Sequence, residues 1–151
     1  MLTTIALIII GILAAISLIW HFFHGIIKIT VTEAEAISLG ATMGCILKRS
    51  FPTGRPLGGS WINHSCFDLA TSIDQQVCSG AHDIRFVRFQ AETIALMIKA
   101  ELMMLEKEEG DLPEWPATRA NILAVHNKFA RIARCNELHF RDASTPPPLP
   151  T

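Results

Sequence analysis

The first part of the chain is a long, uninterrupted run of apolar positions. From residue 2 to residue 27 the sequence LTTIALIIIGILAAISLIWHFFHGII carries no charged side chain. As a helix, this run would measure about 39 Å at about 1.5 Å per residue, which exceeds the roughly 30 Å hydrocarbon core of a bilayer. The pattern therefore predicts a single transmembrane anchor over residues 1–27.

A cleaved secretory signal is the competing interpretation of this run. Such a signal places basic residues before an apolar region of roughly 7–15 residues and ends at small residues. No lysine or arginine precedes the run, and cleavage near Ala14 and Ala15 would leave the apolar stretch ISLIWHFFHGII on the mature protein. These features favour an uncleaved anchor.

The basic residues nearest to the run indicate its orientation. Lys28, Lys48, Arg49 and Arg55 all lie on its C-terminal side. Because basic residues concentrate on the cytoplasmic side of a membrane span, we expect the C-terminal domain in the cytoplasm. The 4 cysteines show no close spacing framework, which is typical of reduced thiols and agrees with that side.

Helix signals begin soon after the anchor. Thr32 with Glu35 three residues later forms a capping box, which predicts a first helix from about 33 to 49. The stretch SFPTGRPLGGSW contains proline and glycine throughout, so it is expected to be a loop. Its glycines lack the lysine and hydroxyl residue of a phosphate-binding loop.

Three further helices are predicted by caps and apolar periodicity. Ser65 with Asp68 opens the second, and Gly80 ends it. Asp83 is the expected N-cap of the third, which Gly110 closes, and Pro113 and Pro116 fit the start of the fourth. Apolar residues at helical spacing mark the third helix at Ile84, Val87, Ala91, Ile94, Ile98, Leu102 and Leu105, and the fourth at Ile122, Val125, Phe129, Ile132, Ala133 and Phe140.

No segment alternates apolar and polar residues over strand length, IKITVT being the nearest approach. The sequence therefore predicts an all-α protein with one N-terminal transmembrane helix, a small bundle of about four helices over 28–141, and a Pro-rich tail over 142–151. The tail, which ends in TPPPLPT, is expected to be extended and disordered.

A stripe of small residues recurs every four positions in the first predicted helix. Ala36, Gly40 and Gly44 share one helix face and would let another backbone approach closely. The stripe is interpreted as an interaction surface, either a packing groove inside the domain or a contact for a partner helix.

Cysteine and histidine occur four residues apart twice. Cys78 with His82, and Cys135 with His139, could together supply two thiolates and two imidazoles to a zinc ion. However, the first pair lies on either side of the helix-ending Gly80, and no C-x-x-C motif accompanies either pair. We therefore predict packing and surface roles for Cys135 and His139 and no metal site.

Two histidines lie near the end of the apolar run. His21 and His24, in WHFFHG, could ligate haem between membrane helices. A belt of aromatic and polar side chains at the headgroup level is the favoured interpretation, since a single span offers one wall of a haem pocket. No cofactor is predicted.

The charge balance weakens a nucleic-acid function. The chain has 13 Lys and Arg against 14 Asp and Glu, for a net charge of -1. The fourth predicted helix carries a basic face, at Arg119, Lys128, Arg131, Arg134 and Arg141, which the acidic stretch around residues 106–114 balances. This face is expected to be solvated, with anionic lipid as a second possible contact and no nucleic acid partner.

These features favour a single-pass, membrane-anchored helical adaptor or accessory subunit whose cytoplasmic domain binds another protein. A metal- or haem-binding membrane subunit that uses the cysteines and histidines is the alternative. A membrane-tethered enzyme is third, because no nucleophile, base and oxyanion loop converge in the sequence.

Overall fold

A computed structural model describes residues 2–56, 58 and 60–134, with the side chains of residues 2–7, 22 and 23 not among those described. The described chain is mostly helical, which confirms the all-α prediction at that level. Its elements are helices α1 (Leu2–His24), α2 (Glu33–Ser50), α3 (Trp61–Cys78), α4 (Ala91–Glu109) and α5 (Trp115–Ala133), strands β1 (Ile26–Thr30) and β2 (Asp83–Val87), and a 3-10 helix (Arg88–Gln90).

The start of α2 follows from local chemistry, as predicted. The Thr32 hydroxyl accepts a hydrogen bond from the Glu35 backbone N–H, and the Glu35 carboxylate accepts one from the Thr32 N–H at 2.7 Å. This reciprocal pair satisfies two backbone donors that would otherwise lack partners at the helix start.

The two-stranded antiparallel sheet corrects the expectation of helices alone. Asp83 does not cap a helix. It is the first residue of β2 and pairs with Thr30 of β1. Ile84 and Phe86 point into the core while Arg85 between them is exposed, which is the alternation of a strand. Because each strand has only 5 residues, its alternation is too short to stand out from the helical spacing of the residues that follow.

Two helix starts therefore differ from the prediction. The helix expected from Asp83 begins at Ala91, after the 3-10 helix, so Ile84 and Val87 belong to β2 rather than to its apolar stripe. The second predicted helix begins at Trp61 instead of near Ser65, which adds an exposed first turn. The predicted ends at Gly80 and Gly110 are confirmed, and Pro116 lies in the first turn of α5, whereas Pro113 lies in the turn before that helix.

The core lies between the four helices after α1, as expected for a bundle. Helix α2 packs against α3, α4 and α5, and α4 packs along α5. The sheet closes one end of this core, where the rings of Phe86 and Phe129 lie 4.9 Å apart. The largest fully buried side chains are Phe129, Leu39, Met43, Ile73, Ile84, Ile94, Ile98 and Val125.

Helix α1 stands apart from this core. It ends at His24, and the chain enters β1 at Ile26, so the apolar run up to residue 27 is divided between a helix and a strand. Its main contact is with the 3-10 helix. The predicted tail over 142–151 and the predicted core position Phe140 lie outside the described residues.

Candidate functional site

A cleft with a volume of about 720 Å³ lies between α3 and β2. We call it the α3–β2 cleft. Its polar lining comes from α3, with Asp68, Ser72, Gln75 and Gln76, and from Arg85 and Gln90 beyond it. Leu69, Phe86 and Val87 add apolar surface. This mixture of apolar surface and hydrogen-bonding groups is typical of a binding cleft.

One wall of the cleft is the outer edge of β2. Along an antiparallel strand, the backbone N–H and C=O groups of successive residues point alternately toward and away from the partner strand. In β2, those of Arg85 and Val87 point away from β1. The Gln76 side chain accepts from the Arg85 N–H at 2.8 Å and donates to the Arg85 carbonyl at 3.0 Å. The Gln90 side chain accepts from the Val87 N–H at 3.0 Å. Two glutamine side chains therefore stand where a further strand would bind.

A second polar cluster joins α2 to α4. The Arg49 guanidinium donates two hydrogen bonds to Glu108, at 2.7 and 2.8 Å, and lies 3.1 Å from the buried Glu101 carboxylate. These bonds raise the pKa of Arg49 and lower that of Glu108. Cys45 lies nearby, where burial and then the Glu101 charge raise the pKa of its thiol. A thiol with a raised pKa is a poor nucleophile. The Arg49 contacts with Glu101 and Glu108 link α2 to α4.

A third cluster ties α5 to the junction between β1 and α2. Lys128 Nζ donates to the Glu35 carboxylate at 2.6 Å and to the Thr30 carbonyl at 2.9 Å. Burial alone would raise the pKa of Glu35, but the hydrogen bonds from Lys128 and Thr32 and the Lys128 charge outweigh it and lower that pKa. Two residues of the basic face predicted on this helix therefore form ion pairs. Lys128 pairs with Glu35, and Arg119 lies 3.0 Å from Glu106.

The small-residue stripe faces α3 over part of its length. Ala36 belongs to the core, and a methyl group added at Gly40 would come within 2.9 Å of Val77 Cγ1. A methyl group at Gly44 would meet nothing within 4 Å. Close helix approach therefore occurs at Gly40, while Gly44 borders open space beside the loop at Phe51 and Pro52.

The proposed metal ligands are divided by the backbone. Cys78 is the last residue of α3, and Gly80 then takes a positive φ of 79°, so His82 does not continue the helix face of Cys78. Cys135 and His139 lie outside the described residues. Within the described part, no group of three or more His, Cys, Asp or Glu is placed to hold a metal ion.

The histidines of α1 have local partners or face outward. The His24 ring stacks on Trp20 at 3.8 Å, and its Nδ1 lies 3.3 Å from the Trp20 carbonyl. The ring of Phe89, in the 3-10 helix, lies 5.4 Å from the His24 ring. His21 is exposed. This arrangement packs the end of α1 against the domain.

The sequence patterns predicted no functional role for Gln76, Gln90 or Phe89. Gln76 and Gln90 act on a strand that the helical spacing concealed, and Phe89 follows that strand directly. The signal that could have identified them is the alternation of Ile84 and Phe86 between Gly80 and the helix that follows.

Comparison with known proteins gives no relative for this arrangement. No protein-family model, curated protein or solved structure matches the chain. Within the described residues, none of the helices combines the length and the apolar character that a membrane crossing requires.

Proposed function

We propose that the protein is a single-pass, membrane-anchored adaptor or accessory subunit whose helical domain binds another protein. The observation that carries the proposal is the surface of α1, where every residue from Ile8 to His21 is exposed. Leu18 is 74% exposed and Trp20 is 65% exposed. Contiguous apolar surface of this kind marks a site that lipid or protein covers.

The sequence supports lipid as the covering medium. The absence of charge extends from residue 2 to residue 27 and so includes residues whose side chains are not described. The absence of a helix long and apolar enough for a crossing holds only for the described residues, whereas the proposed anchor takes in the whole uncharged run. Helix α1 has 23 residues, or about 34 Å at about 1.5 Å per residue, against a hydrocarbon core of roughly 30 Å. The stacked Trp20 and His24 at its end fit the headgroup level, where rings with a polar edge are enriched.

The same proposal assigns the domain to the cytoplasm. Lys28, Lys48, Arg49 and Arg55 follow the anchor, and no lysine or arginine precedes it. Basic residues near a span favour the cytoplasmic side.

The α3–β2 cleft is the proposed contact for the partner protein. It offers both apolar surface and the exposed side chains of Asp68, Ser72 and Arg85. Such a mixture fits a segment of another protein better than it fits a substrate, because catalysis needs converging groups with a nucleophile or a base.

Alkaline carbonate extraction of membranes tests the anchor. We expect the wild-type chain to stay with the bilayer and the double variant Ile12→Glu/Ile16→Glu to be released, because carboxylates in the hydrocarbon core are unfavourable. Ile37 is a matched control, since it is 66% exposed but lies on α2, and Ile37→Glu should remain with the membrane. Release of the wild-type chain would contradict anchoring.

Site-specific photo-crosslinking tests the partner contact. A photoreactive residue at Ser72, in the cleft, should give one adduct of constant mass in intact cells, and Asp68→Lys should reduce its yield. The same residue at Ala120, which is exposed on α5, is the control. Equal adducts at both positions, or none at Ser72, would count against the cleft.

A further inference from the structure

Helix α4 carries a second apolar surface on the side opposite to the core. Its core-facing residues include Ile94, Ile98 and Leu102, all buried. On the outward side Leu96 is 58% exposed and Met103 is 59% exposed. Ala100 lies between them and is exposed as well, and at about 100° per residue these three positions fall within about 60° of arc. We call Leu96, Ala100 and Met103 the α4 stripe.

Opposite charges stand at the two ends of the α4 stripe. Glu92 lies four residues before Leu96, and Lys107 lies four residues after Met103, on the same face of the helix. Neither Glu92 nor Lys107 forms an ion pair with another described residue. The stripe is therefore acidic at one end and basic at the other, with apolar residues between these ends and the exposed Lys99 along one edge of its middle.

These four residues are spaced symmetrically about the middle of the stripe. Glu92 and Lys107, and likewise Leu96 and Met103, are equidistant from the point between Lys99 and Ala100. A surface that complements itself about a twofold axis is what a symmetric homodimer requires.

We propose that α4 is a homodimer interface, in which α4 packs antiparallel against α4 of a second copy. Leu96 then lies against Met103 of the second copy, and Glu92 against its Lys107, each contact occurring twice. Lys99 and Ala100 both lie next to the twofold axis, on opposite edges of the stripe. The small Ala100 lets the helix axes approach to about 8–10 Å, the usual separation of packed helices, while the two exposed Lys99 side chains extend into solvent at the other edge. A parallel pair would place Glu92 against Glu92 and Lys107 against Lys107, so like charges disfavour that arrangement.

This interface does not depend on the membrane anchor or on the α3–β2 cleft. In detergent, the α4 dimer can form whether its two anchors would enter the same bilayer or two facing bilayers. The mass of the protein particle, measured by sedimentation in density-matched detergent over the micromolar range, therefore reports on the α4 contact itself. Two large apolar residues per copy place the interface in the small, transient size class.

A charge-exchange experiment distinguishes the antiparallel dimer from a parallel dimer and from a dimer that forms through a different surface. We expect Glu92→Lys and Lys107→Glu each to weaken dimerisation roughly tenfold, because two attractive pairs become repulsive. The combined variant Glu92→Lys/Lys107→Glu restores opposite charges across the interface and should return to within about threefold of wild type. A combined variant as weak as the single ones would overturn the pairing.

Two further variants test the apolar contact and the position of the axis. Leu96→Gln/Met103→Gln should remove the dimer, whereas Ile37→Gln, at an exposed apolar residue of α2, should not. Thermal unfolding checks that these variants are folded.

In a chain without its natural cysteines, Ala100→Cys should form a cross-link between copies with a short bismaleimide, and Ala41→Cys should not. A wild-type chain that is monomeric at every concentration would overturn the proposal and leave the stripe to a different partner.

Discussion

The side-chain amide of Gln76 makes both of the hydrogen bonds that a neighbouring strand would make with the backbone of Arg85. Its Oε1 accepts from the Arg85 N–H at 2.8 Å, and its Nε2 donates to the Arg85 carbonyl at 3.0 Å. A helix side chain thus closes the edge of a two-stranded sheet. Free strand edges pair with other chains, so we expect this contact to limit aggregation as well as to stabilise the fold.

Replacing Gln76 with alanine should therefore have two effects. The variant should lose about 1–2 kcal/mol of unfolding free energy, because Arg85 loses both partners at a partly covered site. It should also aggregate faster on mild heating, because the edge of β2 is left open. Urea unfolding and light scattering measure the two effects. Gln75→Ala changes an exposed neighbour in the same helix and serves as the control; equal losses for both variants would argue against edge protection.

The Glu35–Lys128 pair predicts a defined acid sensitivity. The pKa of Glu35 is lowered from 4.5 in the folded protein. A carboxyl group with a lowered pKa stabilises the fold above its unfolded pKa, and this stability is lost as the pH falls through the folded value. We expect the unfolding free energy of the wild type to fall below about pH 5 more steeply than that of Glu35→Gln.

Glu33→Gln is the matched control for this experiment, because Glu33 is an exposed carboxylate in the same first turn of α2. At neutral pH, Lys128→Met should cost about 1–3 kcal/mol, since it leaves the buried Glu35 carboxylate without its cation. Identical pH profiles for the wild type and Glu35→Gln would show that the pair contributes nothing to stability.

Two glycines of α2 should respond oppositely to alanine. Gly44→Ala should stabilise the protein by about 0.5–1 kcal/mol, because a glycine inside a helix is unfavourable and its added methyl group meets open space. Gly40→Ala should destabilise it by about 1–2 kcal/mol, because the methyl group would overlap Val77, whose branched side chain has little freedom to move. Thermal unfolding of the two variants measures both effects. If both substitutions stabilised the protein, the space between α2 and α3 at Gly40 would not be limited by Val77.

The sequence predicted those features that depend on neighbouring residues. The Thr32–Glu35 capping box and the helix ends at Gly80 and Gly110 are local signals, and each is found in the structure. The sheet depends on contacts between β1 and β2, which are far apart in the sequence, and strands of this length have almost no periodicity of their own. The bonds of Gln76 with Arg85 depend in turn on that sheet, so the lining of the cleft could not be derived from spacing.

The exposed Cys78 offers the last prediction, on orientation. It ends α3 at the surface of the domain, whereas Cys45 is half-buried and its thiol has a raised pKa. If the domain is cytoplasmic, a membrane-impermeant maleimide should not modify Cys78 in intact cells and should modify it ahead of Cys45 after permeabilisation, because the thiolate is the reactive form. Thr3→Cys, at the other end of the anchor, should be modified in intact cells and shows that the reagent is active. Modification of Cys78 before permeabilisation would reverse the orientation while leaving the anchor itself intact.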